Sequence, residues 1–168
     1  ILHNVQTAGV DALPIAGLLS FLLGIVIAYQ GADQLQRFGA NIFVADLVGI
    51  SMLRELSPMM TAIIIAGRSG SAYTAQIGTM KVTEEIDALR TIGVPPLELL
   101  VLPKMIALVI VMPLLTVYTD VTGVLGGMIM AQWKLGVDMR AFLDRLDDAI
   151  VLSTYWTGLV KAPVFAMI

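Results

Sequence analysis

Five ionisable side chains stand in or beside oily stretches of this chain: Asp46, the adjacent Arg54 and Glu55, Asp120 and Lys161. A charge in hydrocarbon is costly, so such groups face protein or a water-filled cavity. They mark substrate pathways, proton relays or ion pairs between helices. Arg54 and Glu55 lie in "GISMLRELSPMM". As neighbours they stand about 100° apart on a helix and need not pair with each other. Pro58 follows, and its ring crowds the carbonyl of Arg54 and loosens the hydrogen-bond ladder there. Two readings stay open for the pair, a polar feature of a substrate cavity or gate and a structural ion pair between helices. Asp46, Asp120 and Lys161 pose the same choice, each nearer an interface.

Other chemistries find no support. Ser69 and Ser71 lie in "GRSGSAYTAQIG" with no base nearby in sequence; the only histidine is His3, and there is no cysteine. A lipid-cleaving enzyme would want a nucleophile with its base, or a metal cluster, and no metal site is expected. The same stretch is not a phosphate cradle: a Walker A loop needs a Gly-Lys pair, whereas Gly70 is followed by Ser71. As a helix it makes better sense. Ala62, Ala66, Gly70, Thr74 and Gly78 recur every four positions, with Gly67, Ser71, Ala75 and Thr79 beside them. Such rows let helix backbones approach closely in lipid. They predict a tightly packed bundle, compatible with a dimer. Gly123 and Gly127 form a shorter pair of the same kind.

The elements that carry these residues are membrane spans. Of 168 residues, 58% are hydrophobic and 14% charged, with a mean hydropathy of +0.88. A soluble domain carries about 25% charged residues. Spans need about 20 mostly apolar residues, and four are expected, at 13–30, 42–78, 99–132 and 149–168. The fold class is all-α, a polytopic transmembrane helix bundle forming a single domain over 1–168. Both ends read as cut from a longer chain. A net charge of −3 offers no basic footprint for nucleic acid. Arg68, Lys81, Arg90 and Lys104 favour a cytoplasmic second loop. Lys134, Arg140 and Arg145 in the third loop run against that alternation.

Between the second and third spans, "TEEIDALRTIG" predicts a short amphipathic helix over 83–93. Thr83 is the expected N-cap, and Glu84, Glu85 and Asp87 suit the positive helix end. Val82, Ile86 and Leu89 share one face. Gly93, Pro95 and Pro96 end the helix. From the residues alone, a solvated connector, a surface helix and a docking helix all remain open.

"LRELSPMMTAIIIAGRSGSAYTAQIGTMKVTEEIDALRTIGVPP", Leu53 to Pro96, closely resembles the signature region of the MlaE-type ABC transporter permeases. "LVLPKMIALVIVMPLLTVYTDVTGVLGG" resembles the family's next span. The resemblance covers roughly Asn4 to Ile168. It implies a homodimeric permease of the bacterial inner membrane, with an interfacial helix and five spans, of which this chain supplies four. It implies work with a cytoplasmic ABC ATPase, a periplasmic MCE-domain protein and often a STAS-domain subunit, on a phospholipid substrate. ATP and Mg belong to the partner ATPase; no cofactor is expected in this chain, which is then a transport subunit and not an enzyme.

Carried over by residue, 83–93 matches the coupling helix, so that Glu84, Glu85, Asp87 and Arg90 become polar contacts to the ATPase. Ile86 and Leu89 would face the spans or a groove. Glu55 matches the family's intramembrane glutamate near the lipid cavity. Ile27, Leu35 and Phe38 match positions near that cavity, where Gln30 or Arg54 could meet polar atoms. The rows from Ala62 to Thr79 would pack the second span. Gln76 departs from the glutamate of some members, which puts a charge-based role there in doubt. The alternative function is an ion-coupled secondary transporter of another hydrophobic substrate, with Asp46, Glu55, Asp120 and Lys161 relaying protons.

Overall fold

The structure is a computed structural model that describes Gln6 and residues 9–93 and 95–167. His3, Asn4 and Ile168 lie outside the described residues. Helix α1 covers Leu13–Arg37, with Pro14 in its first turn, where a missing N–H leaves no bond unmade. A single unbroken helical course then runs from Asn41 to Val82, 42 residues. It comprises α2 (Val44–Ser51), α3 (Ser57–Ile65) and α4 (Ser71–Val82), joined by π-helical turns at Met52–Leu56 and Ala66–Gly70. Short α5 (Glu85–Thr91) leads to α6, Leu102–Leu135, which stops at Gly136 in the left-handed conformation (φ 65°). Helices α7 (Met139–Ala149) and α8 (Leu152–Ala166) follow, bent 80° to each other.

Three of these courses are long and apolar enough to cross a membrane, and α7 with α8 makes a fourth if the bent pair is one span. Within the expected 149–168 span the structure sets the helix α8 at Leu152–Ala166. The segment ahead of it, expected to be a polar loop, is the amphipathic α7, which buries Phe142 and Leu146 and turns its acids outward. Its apolar residues are few, but they recur at i and i+4.

Helices α1 and α6 share the most extensive contact of the molecule. Glycine makes it possible: a Cβ on Gly24 would lie 1.9 Å from the Gly123 carbonyl oxygen, and one on Gly126 would lie 2.1 Å from that of Phe21. The small pair at Gly123 and Gly127 makes room for side chains of α2 and its π turn: a Cβ would lie 2.1 Å from Met52 Cε at the first and 2.5 Å from Val48 Cγ1 at the second. The longer rows do not do so within this chain. No neighbouring atom lies within 4 Å of a Cβ built on Gly67 or Gly78. Ser71, Thr74 and Thr79 turn their hydroxyls back to their own helix, onto the carbonyls of Gly67, Gly70 and Ala75. Ala62, Ala66, Gly67, Gly70, Ser71 and Thr74 instead line an open groove of 590 Å³ with α6 and the end of α8.

The core has two apolar halves. One gathers Ala28, Val44, Val48, Met52, Met128 and Phe142. The other gathers Ala12, Ile65, Val111, Met112, Leu115 and Ala162. At the intermediate levels of α1, α3 and α6 sit buried Ser20, Ser57, Thr61, Thr116, Thr119 and Asp120. Thr61 and Thr119 bond across α3 and α6 at 3.2 Å. Their hydroxyls also take up their own helices' carbonyls, Thr61 on Ser57 and Thr119 on Thr116. The bundle thus carries a polar belt between its apolar halves.

Candidate functional site

Pro58 shapes the charged site. It has no N–H for the Arg54 carbonyl, and the turn before it widens into the π-helical Met52–Leu56. Such widened turns recur at functional sites. The freed carbonyl meets the Lys161 ammonium of α8 at 3.4 Å. The same ammonium donates to Glu55 Oε2 at 2.7 Å. Arg54 Nε lies 3.3 Å from Glu55 Oε1, so the neighbours do pair. Gly158, on the same face of α8 as Lys161, lets the two backbones meet; a Cβ there would lie 1.9 Å from the Leu53 carbonyl oxygen. The result is one carboxylate between two cations. All three side chains remain accessible, at 53% for Arg54, 58% for Glu55 and 34% for Lys161. That arrangement leaves a net positive charge open to an anionic or zwitterionic group.

Lys161 is the residue whose role sequence reasoning missed, although it was noted as a charge in a span. The signal was its spacing: Gly158 and Lys161 fall at i and i+3 on one helix face. Ile27 and Gln30 lie elsewhere, around a cavity of 170 Å³ with Gly31, Gln34 and Leu47. Leu47 precedes Glu55 by about 12 Å of helix rise. Leu35 packs on the apolar half that holds Val44, and Phe38 is 84% exposed beyond the end of α1. Within this chain the four flank the C-terminal end of α1, separate from the charge cluster.

That end is tied by ion pairs. Arg145 of α7 grips Asp46 with two bonds, 2.8 and 2.7 Å, beneath the Phe43 ring. Lys134 pairs with Asp33 and lies over the Tyr29 ring. Two of the cations that oppose the charge rule are thus held by acids at their own end. Asp46 thus ties α2 to α7.

The opposite end carries α5, the segment expected to couple. Thr83 does not cap α5. Its hydroxyl donates back to the Thr79 carbonyl, and the N-cap position falls to Glu84, in the left-handed conformation at φ 60°. Thr83 remains bound to α4, so the chain must reverse at the next residue. Lys81 holds Asp87 with 2.9 and 2.7 Å bonds, and Arg90 stands 3.7 Å away. The Lys81 hydrogen bond, followed by the charges of Lys81 and Arg90, holds the Asp87 carboxyl below the usual carboxylate range. Ile86 is buried and Leu89 half-buried, whereas Val82 is 84% exposed and does not share their face. Glu84, Glu85 and Arg90 are exposed. Nearby, Lys104 is buried, donates to Gln76 at 2.7 Å and lies over the Tyr73 ring. Gln76 therefore accepts from a cation without a charge of its own.

Sequence comparison places this geometry in a family. The profile of permease MlaE matches residues 1–168. A probable ABC transporter permease protein of Rickettsia typhi is 39% identical over all of this chain and 65% of its own length. The intermembrane phospholipid transport system permease protein MlaE of Haemophilus influenzae is 37% identical, over 99% of this chain and 64% of its own. The Arabidopsis thaliana chloroplast protein TRIGALACTOSYLDIACYLGLYCEROL 1 is 29% identical over 99% of this chain and 48% of its own length. The chain thus spans 65% or less of these relatives. With its π-turn charge cluster and apolar spans, it belongs to the MlaE permease family.

Proposed function

We propose that this chain is the membrane-spanning part of an ABC transporter permease that moves phospholipids between the bacterial inner membrane and the outer envelope. The observation that carries the proposal is the Glu55 cluster. Its two cations and one carboxylate sit within apolar spans and stay accessible, which suits a zwitterionic or anionic headgroup whose chains lie along apolar walls. The name of the Haemophilus relative supports the substrate class.

In the proposed mechanism the chain hydrolyses nothing. A cytoplasmic ABC ATPase, with its own ATP and Mg, docks on the exposed side of α5 through Glu84, Glu85 and Arg90. Its closure moves α5, and α4 transmits the movement to the π turn that carries Arg54 and Glu55. The headgroup is then released toward a periplasmic MCE-domain protein. Two copies of the permease, with a STAS-domain subunit in some systems, complete the assembly. Ile27, Gln30, Leu35 and Phe38 guide acyl chains at the outer end.

Native mass spectrometry of the full-length protein, gently extracted with its partners, tests this. Two permease copies with two ATPase subunits, an MCE assembly and bound phospholipid are expected. A protein that stays without ATPase and lipid, under extraction shown to keep subunits attached, would overturn the proposal in favour of an ion-coupled transporter.

A further inference from the structure

Lys104 is the cation that the proposed mechanism leaves unused. The chain's other three lysines each hold a carboxylate: Lys81 on Asp87, Lys134 on Asp33 and Lys161 on Glu55. Lys104 pairs with none among the described residues, although it is only 8% exposed. Its ammonium donates to the neutral Gln76 at 2.7 Å and lies 4.6 Å from the centre of the Tyr73 ring. Burying a charge is costly unless it is paired. A neutral amide oxygen and a ring face hold it more weakly than a carboxylate would.

Both partners of Lys104 belong to α4, and α4 has little else to hold it. None of its residues is buried, whereas α3 before it buries Ser57, Pro58, Thr61 and Ile65. Its contacts run mainly along the chain, to the π turn before it and to α5 after it. Tyr73, Gln76, Ile77 and Met80 share one face, and all but Gln76 are half-buried there. On that face the Tyr73 hydroxyl is enclosed without a hydrogen-bond partner. Among the described residues, one side-chain hydrogen bond therefore fastens α4 across to α6, and the arrangement leaves a polar group unsatisfied. Lys81 meanwhile clamps Asp87, which makes one piece of α4 and α5.

We propose that the Lys104–Gln76 bond is a latch that holds α4 and α5 against α6 at rest and opens when the docked ATPase closes. Lys104 is then a positioning residue. The bond is directional enough to set one resting geometry and, with a neutral acceptor, weak enough to release. Moving α4 about 1 Å off α6 takes it past hydrogen-bond range. The inference rests on the reading of α5 as the ATPase docking helix.

The test measures the distance between spin labels at Ala88→Cys in α5 and Leu114→Cys in α6, both exposed positions. It uses full-length protein in nanodiscs, free of other cysteines and diluted with unlabelled copies. With Lys104 and Gln76 in place, the free permease should give one narrow distance distribution. Lys104→Met should widen it at least twofold, and Lys104→Arg, which keeps the donor, should stay near the narrow form. ATPase with a non-hydrolysable ATP analogue should shift the distribution. Gln76→Glu, which turns the latch into an ion pair, should cut the shifted fraction at least threefold with ATPase still bound, and serves if Lys104→Met does not fold. An unchanged width in Lys104→Met would overturn the proposal, as would a Gln76→Glu protein that shifts as fully as its parent. A parent protein that binds no ATPase removes the docking reading and, with it, the trigger of the latch; the widths in the free permease then still decide whether Lys104 holds α4.

Discussion

Glu55 is held by two cations from different parts of the chain, and only one of these was legible beforehand. The adjacency of Arg54 and the disruption by Pro58 could be read directly. The Lys161 contact joins residues 106 positions apart, and the Gly158–Lys161 spacing marks a face of α8 without naming the π turn as its partner. Removing the carboxylate leaves Arg54 and Lys161 facing each other without an anion. Glu55→Ala is expected to lower co-purified phospholipid severalfold while the protein still assembles, as read by lipid extraction and size-exclusion chromatography. Lys161→Met should lower it comparably, and the double variant should add little if the two act as one unit. Normal lipid recovery in both single variants would remove the cluster from the pathway.

At the scale of elements, α5 was foreseen as a helix and its ends were misjudged. Thr83 carries the sequence signature of an N-cap, but a preceding helix can claim the same hydroxyl, and α4 does so here. The cost falls on Glu84, because a non-glycine residue in the left-handed region is strained by about 1–2 kcal/mol. Glu84→Gly is expected to stabilise the α4–α5 turn by up to about 1 kcal/mol, seen as slower amide exchange in α5. The burial of Ile86 makes Ile86→Asp a folding lesion, so Glu85→Lys is the cleaner probe of docking. It should weaken ATPase association with α5 still protected. The Asp87 pairing adds a pH dependence. Its folded pKa lies below the ordinary value of 3.8, so its contribution is complete above that value and fades as pH falls through the lowered one. Amide protection in α5 should therefore hold from neutral pH to about pH 5. It should drop in stronger acid, and Asp87→Asn should remove that step. Helix α7 was missed because its five charged residues masked a two-residue apolar stripe.

For the molecule as a whole, the all-α membrane architecture followed from composition and span length, and the structure agrees. Which small residues let helices meet did not follow, because a row of small side chains marks a smooth face without naming its partner. Gly24 and Gly126 bring α1 onto α6, and the row from Ala62 to Gly78 faces open space within this chain. Gly24→Leu should cost more than the about 1–3 kcal/mol of ordinary overpacking, since the atom it meets is a backbone carbonyl. Loss of the monodisperse folded protein is the expected readout. Gly67→Ala should be tolerated in the same assay.

The unbroken course from Asn41 to Val82 has one more implication. At 1.5 Å per residue it extends about 63 Å, twice the about 30 Å of the hydrocarbon core. A course of that length, set along the bilayer normal, reaches beyond the hydrocarbon core, and α4 then forms a stalk with α5 at its tip. Swinging such a stalk by 10° about the Glu55 level moves a tip about 40 Å away by about 7 Å. A small rotation beside the charge cluster is thereby converted into a displacement large enough for a bound protein to grip, and the same leverage runs in reverse.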